Sequence, residues 1–308
     1  MLALLAPGQG AQTPGFLTPW LEDATSRALV ENWAALIDLD LIKLGTLADA
    51  DEIRETSHAQ PLLVTAGLIS CMQAFGGQNI TFDYYAGHSV GEITAVCLAE
   101  SFDGDAALTL VNVRGRAMSA AATGSDTGMS AVLGGERDVV VAALTALGLT
   151  PANENGGGQI VAAGALSALA ALAENPPAGS RVRPLQVSGA FHTSVMQPAL
   201  VKLADAAREI TVSDPVAPVV SNRDGALITN GDELMARIVG QVSGPVRWDL
   251  CMNTLAEKGV TGVVEVAPGG TLTGLVKRAQ PGIELFAIKT PDDIAGAREF
   301  ARNHGGTR

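Results

Sequence analysis

Cysteine, histidine, positive charge and long apolar runs are all scarce in this 308-residue chain, and each scarcity closes off a class of function. The three cysteines, Cys71, Cys97 and Cys251, are scattered with no CxxC pair, which leaves neither a disulfide framework nor a zinc site to build. Two of them fall in apolar helical patterns, where a thiol is a small buried hydrophobe, and the usage fits a reducing cytoplasm. Against 32 Asp and Glu stand 20 Lys and Arg, a net charge of −12 that argues against nonspecific binding to nucleic acid or to a membrane surface. No apolar run reaches the roughly 18 residues of a membrane span. Met1 to Ala6 lacks a basic flank and stops at Pro7-Gly8, so it is expected to be a first buried strand and not a targeting segment.

With 47% hydrophobic and 17% charged residues the chain can bury a sizeable core, in one large domain or two smaller ones. Strands and helices alternate through the first part: a strand over 2–6, helices over 19–36 and 61–75, a strand over 80–85, and a helix over 103–122. Such alternation implies a largely parallel sheet covered on both faces. The middle then reads strand 128–133, helix 136–147, strands 149–153 and 159–163 around Asn155-Gly156-Gly157-Gly158, helix 166–173 and strand 182–187. That order is the split-βαβ, ferredoxin-like unit. Helices over 194–210, 232–242, 247–258 and 272–278 and strands over 219–221, 263–266 and 285–288 follow, with residues 303–308 a frayed tail. The expected architecture is α/β: an α/β-hydrolase-like large subdomain with a mostly parallel sheet, residues 1–124 and 189–308, and an inserted small ferredoxin-like (βαββαβ) subdomain, residues 125–188.

The most informative motif is Gly87-His88-Ser89-Val90-Gly91, a GxSxG between a strand pattern and the helical spacing of Ile93, Val96 and Cys97. This context makes it a nucleophile elbow: the glycines permit a sharp turn, and Ser89 is held over a helix N-terminus near backbone N–H groups. A serine nucleophile needs a base, and four histidines compete. His88 lies inside the elbow on a residue that points elsewhere, His304 is in the tail, and His58 precedes a helix. His192, in Gly189-Ala190-Phe191-His192-Thr193 just after the small subdomain, stands where loops of an α/β fold converge, although a helix-capping role would also place a histidine there. No acidic residue announces itself as its partner, so a Ser/His dyad oriented by a backbone or amide oxygen is the simpler reading.

Six ordered motifs resemble the malonyl-CoA:acyl carrier protein transacylase family over roughly residues 2 to 290: Ala6-Pro7-Gly8-Gln9-Gly10-Ala11-Gln12, Gly87-His88-Ser89-Val90-Gly91-Glu92, Val113-Arg114-Gly115-Arg116-Ala117-Met118, Asn155-Gly156-Gly157-Gly158, Gly189-Ala190-Phe191-His192 and Glu265-Val266-Ala267-Pro268-Gly269-Gly270. Ala11, Ala267 and Gly270 depart from the family's commonest residues in turn and surface positions. The resemblance implies Ser89 as nucleophile, His192 as base and Gln241 as the residue whose oxygen orients it. It implies backbone N–H groups of Gln9 and Val90 as the oxyanion hole, Arg114 as the ligand of the malonyl carboxylate, and Phe191 as a ring that crowds a 2-methyl branch. Asn155 would hydrogen-bond near the site. Read alone, Arg114 could equally be a solvated helix arginine and Asn155 the start of an Asn-Gly turn.

The implied reaction is ping-pong transfer of malonyl from coenzyme A to Ser89 and on to the phosphopantetheine thiol of acyl carrier protein, with no bound cofactor and no metal. Malonyl-CoA and acyl carrier protein are the implied partners, a monomer the expected state, and the cytoplasm the expected location. An acidic carrier must find a local basic patch on an acidic chain. Lys277 and Arg278 are the leading candidates, with Arg183 and Lys202 as alternatives. Two other readings are a serine hydrolase, in which water is the acceptor, and a catalytically silent scaffold subunit.

Overall fold

In the computed structural model, residues 1–305 are described. The chain begins with β1 (Leu2–Ala6), α1 (Ala24–Ile37), α2 (Leu41–Thr46), α3 (Thr56–Phe75), β2 (Tyr84–Gly87), α4 (Gly91–Leu98) and α5 (Gly104–Ala122). The middle is β3 (Thr127–Gly134), α6 (Arg137–Ala146), β4 (Thr150–Gly156), β5 (Gln159–Ala165), α7 (Leu166–Glu174) and β6 (Ser180–Pro184). It continues with α8 (Gln197–Arg208), β7 (Val219–Val220), β8 (Leu227–Ile228), α9 (Gly231–Gln241), β9 (Val246–Arg247) and α10 (Trp248–Glu257), and closes with β10 (Gly262–Glu265), α11 (Thr271–Ala279), β11 (Glu284–Ala287) and α12 (Ile294–His304).

The larger sheet has the order β11-β10-β1-β2-β7-β8, parallel except for the β7–β8 hairpin at one edge. All five residues of β1 are fully buried, as a central strand covered on both faces requires. The chain leaves β1 toward β2 on one side, while β10 and β11 lie on the other, so the strand ends at Ala6 and Gly87 flank the crevice where open α/β sheets place their sites. The smaller sheet runs β6-β3-β5-β4-β9, antiparallel throughout its first four strands. Its pleat divides the burial. Val132, Ile160 and Ala162 pack under α6 and α7, whereas Met129, Val161 and Ala163 join the main core.

The α/β architecture and the mostly parallel larger sheet match expectation; several local readings need correction. Strand β9, from residues far beyond 188, adds to the small sheet in parallel with β4, a two-residue pairing too short to leave a periodic signal. Asn155 belongs to β4 and not to the following turn, which is made by Gly156, Gly157 and Gly158, all at positive φ. The short helix α2 and the terminal helix α12 were not anticipated. The buried face of α12 is Ala297 and Ala301, side chains too small to mark an apolar stripe. Asn303 and His304, expected in a frayed tail, end α12, with the His304 ring 4.4 Å from that of Phe300. Residues 306–308, the rest of that expected tail, lie outside the described residues.

Close approach of backbones builds the elbow. A Cβ on Gly91 would sit 2.1 Å from the carbonyl oxygen of Ala6, and one on Gly87 would sit 2.0 Å from that of Gly91. Neither neighbour is a flexible side-chain end that could swing away. Gly91→Ala is therefore expected to push α4 off the end of β1, at a cost of about 1–3 kcal/mol or more, and to remove activity by displacing Ser89. Urea melts with a paired activity assay check this; a variant of unchanged stability and rate would contradict the packing argument.

Candidate functional site

Ser89 projects from the turn between β2 and α4 with φ +54°, the left-handed region that non-glycine residues rarely occupy. One side chain holds that conformation from both ends. Asn222, just after β7 and fully buried, accepts the Ser89 N–H at 2.8 Å through Oδ1 and donates from Nδ2 to the Gly87 carbonyl at 2.7 Å. Asn222 also donates its own N–H to Glu92 at 2.7 Å and accepts the Arg247 N–H at 2.7 Å. Its polar groups thus replace the ladder bonds that a turn lacks.

His192 lies on the loop after β6, also at positive φ (+61°), packed on α5 by Gly189, where a Cβ would meet that of Ala122 at 2.6 Å. Its Nε2 is 2.7 Å from Ser89 Oγ, and its Nδ1 is 2.8 Å from the backbone oxygen of Gln241. Since a carbonyl only accepts, Nδ1 carries the proton and Nε2 is left to accept from the serine. Burial, then the nearby Arg114 charge, push the His192 imidazole down to about 3. The resting histidine is neutral.

Arg114, on α5, is 1% exposed and is no solvated helix arginine. Its guanidinium donates to Gln60 Oε1 at 2.6 Å, to Gln241 Oε1 at 2.8 Å and to Ser89 Oγ at 3.3 Å, while its Nε has no partner among the described residues. Burial lowers it to about 10, which leaves it charged at neutral pH. Gln241 thus contributes twice, its backbone oxygen to His192 and its side chain to Arg114.

Ser89, His192, Arg114, Gln9, Val90 and Phe191 line a single cavity of ≈ 460 Å³. The Ser89 amide is occupied by Asn222, whereas the N–H groups of Gln9 and Val90 donate to no protein acceptor among the described residues. Met129, Asn153 and Val161 of the small sheet also line it. His88 is among the residues around this cavity, but its ring is turned from Ser89 as the sequence suggested: it packs edge-on against Trp248 and its Nε2 is 2.8 Å from Asn155 Oδ1, neither of which lines the cavity. Asn155 thus reaches the site through His88. Burial holds His88 below its ordinary value. Lys277 and Arg278 lie apart, exposed in the last turn of α11, and Arg278 shares a surface cleft with Arg181 and the glycine turns at 134, 157–158 and 179. Arg183 is exposed on β6, two residues from Arg181, and Lys202 is exposed on α8. Asn222 and Glu92 were not singled out from sequence. Glu92 sat inside a quoted motif, but nothing in its spacing revealed a partner 130 residues away.

Among the described residues no three or more His, Cys, Asp or Glu are placed to hold a metal ion, and no helix is long and apolar enough to cross a membrane. A family profile for the acyl transferase domain matches residues 4–288. The malonyl CoA-acyl carrier protein transacylase of Mycobacterium tuberculosis is 48% identical over 299 residues, covering 96% of this chain and 98% of the relative, and that of Escherichia coli K12 is 35% identical over 310 residues, covering 97% and 99%. The crystal structure of MCAT from M. tuberculosis superposes with a TM-score of 0.92 at 47% identity, covering 97% of this chain and 99% of that one. A malonyl-transacylase in complex with a type II PKS acyl-carrier protein superposes with a TM-score of 0.90 at 28% identity, covering 97% and 99%.

Because His192 is already neutral well below pH 7, the rate at which a thioester acylates Ser89 is expected not to fall between pH 7.5 and 5.5. A histidine titrating at its ordinary ~6.5 would lose about tenfold over that interval. Rapid-quench measurement across the range distinguishes the two, and a tenfold loss would place the base at an ordinary imidazole.

Proposed function

Since the chain belongs to the malonyl-CoA:acyl carrier protein transacylases of the acyl transferase family, we propose that it moves malonyl from coenzyme A to the phosphopantetheine thiol of an acyl carrier protein through an ester on Ser89. One observation carries the site assignment: a single guanidinium, Arg114, stands 3.3 Å from the same Ser89 hydroxyl that meets His192 Nε2 at 2.7 Å. A carboxylate on Arg114 brings the carbonyl carbon two bonds away within reach of Ser89.

In the first half-reaction Ser89 Oγ attacks the thioester carbonyl as His192 Nε2 takes its proton. The oxyanion forms beside the N–H groups of Gln9 and Val90, each such donor being worth ~2.7–4 kcal/mol in a transition state. His192 returns the proton to the departing coenzyme A sulfur. In the second half the carrier thiol gives its proton to His192 and attacks the malonyl ester, and Ser89 Oγ leaves with that proton. Gln241 takes the orienting place that an acid fills in other serine enzymes. Having no charge, it stabilises the imidazolium less, and the nearby Arg114 opposes that cation. A malonyl carboxylate on Arg114 cancels this opposition, so the preferred substrate raises the basicity of its own catalyst. Phe191, buried against the cavity, would crowd a 2-methyl branch, a selectivity worth roughly 1–3 kcal/mol.

We further read residues 1–124 and 189–308 as an α/β-hydrolase-like catalytic subdomain and 125–188 as an inserted ferredoxin-like one, whose β6-β3-β5-β4 order with helices on one face supports the reading. Three free cysteines accord with a cytoplasmic protein. The exposed Arg278, sharing a cleft with Arg181, supports docking of an acidic carrier at Lys277 and Arg278 over Lys202, which lies on α8.

Arg114→Ala tests the assignment. Stranding a buried carboxylate typically costs ~3–5 kcal/mol, so malonyl transfer is expected to fall by roughly 10²–10³ or more. Acetyl transfer should fall far less, and paired specificity constants give the ratio directly. Parallel losses for both donors, in a variant with native circular dichroism, would remove Arg114 from the binding role. Reversing the charges of Lys277 and Arg278 together is expected to raise KM for carrier protein severalfold and leave KM for malonyl-CoA unchanged; equal effects on both would count against docking there.

A further inference from the structure

We propose that Glu92 positions and balances Arg114 through the side-chain amide of Gln241, which makes it a determinant of selectivity between acyl donors that carry a carboxylate and donors that do not. The proposal rests on the role of Arg114 given above. Glu92 opens α4, three residues after the nucleophile, and is 2% exposed. Its Oε1 accepts the Asn222 N–H at 2.7 Å, and its Oε2 accepts from Gln241 Nε2. The Gln241 amide nitrogen also faces Asn222 Oδ1 at 3.2 Å, and its oxygen faces Arg114 at 2.8 Å. The acceptors on one side and the guanidinium on the other allow the amide only this orientation, NH2 toward the carboxylate and oxygen toward the cation. Glu92 therefore fixes the group that holds Arg114, and Gln241 stands as an oriented dipole between two buried opposite charges.

A malonyl carboxylate would arrive as a second anion for the same guanidinium. An ionised Glu92 then opposes it, and a protonated Glu92 does not. Burial pushes Glu92 up to about 7, against the opposing pull of the Asn222 N–H, Arg114 and Gln241, and of Arg237 from α9. The groups around it from the other elements hold one charge state near neutrality: Arg114 of α5 stays cationic, His88 beyond β2 and His192 are held neutral, and burial raises the Cys251 thiol of α10 well above its usual range. Loading of malonyl, but not of acetyl, is therefore linked to proton uptake at Glu92. The sign follows: the anionic donor is favoured fully below about pH 7 and progressively less above it, until Glu92 is ionised in the loaded enzyme too.

The test is the ratio of kcat/KM for malonyl-CoA to that for acetyl-CoA from pH 6 to 9, a ratio in which the phosphates, the thioester and His192 cancel. In the wild type it is expected to be flat to about pH 7 and then to fall by about tenfold, the effect of one pKa unit of coupling. Glu92→Gln, neutral at every pH, should hold the ratio flat at or above the low-pH value of the wild type. A wild-type ratio that stays level through pH 9 overturns the proposal and needs no variant, as does a Glu92→Gln ratio that keeps the wild-type fall. Arg114→Ala measured alongside separates the two assignments. If its ratio fails to collapse, Arg114 itself is misassigned; if it collapses while the wild-type profile stays level, only the role of Glu92 is lost.

Discussion

A guanidinium that is 1% exposed is the constraint around which this site is arranged. Taking such a cation out of water costs several kcal/mol unless hydrogen bonds and a counter-charge replace the solvent. Gln60 from α3 and Gln241 from α9 supply neutral oxygens, and the nearest acid, Glu92, is kept one amide away. A direct Arg–Glu pair would have satisfied the charge more completely, and would have left the cation little to gain from any further anion. The arrangement keeps the arginine tolerably placed but unsaturated: its Nε–H has no partner among the described residues and another N–H meets only the Ser89 hydroxyl at 3.3 Å.

The same constraint bears on why His192 meets a backbone oxygen and no carboxylate among the described residues. An aspartate at His192 Nδ1 would place a negative charge within reach of the nearby Arg114 and compete for its guanidinium. The backbone oxygen of Gln241 fixes the tautomer without adding charge. Because that oxygen and the amide that holds Arg114 belong to one residue at the end of α9, His192 and Arg114 share a single support. Asn222 extends this economy to the elbow, since its side chain holds Ser89 at positive φ while its main chain binds Glu92.

Much of this was legible in the sequence, for reasons that differ by element. The buried run of β1, the glycine spacing of the elbow and the βαββαβ order of the middle are local signals, set by burial and by backbone geometry within a few residues. Ser89 and His192 could be named because few alternatives existed and both sit in turns with recognisable neighbours. His88 could be set aside because it sits inside the elbow, and its ring lies against Trp248, far along the chain. Asn155 was placed in a turn because Asn-Gly usually forms one, yet here β4 runs on until Gly156. Asn222 and Glu92 were invisible as functional residues, because their value lies in contacts across 130 and 149 positions that no periodicity encodes.

The small sheet adds the remaining step. Its outer face is shielded by α6 and α7, while Met129 and Val161 on the inner face line the cavity that Ser89 also lines, so the cavity lining and the hydrophobic core of this unit are the two faces of one four-stranded pleat. Water exclusion around Arg114 and His192 therefore depends on how this sheet seats against α5 and the elbow. Three contacts from the small sheet bear on that seating: β4 pairs with β9, Asn155 bonds His88, and Gly157 lies against Arg278. All three lie near the end of β4, next to the exposed cations of α11.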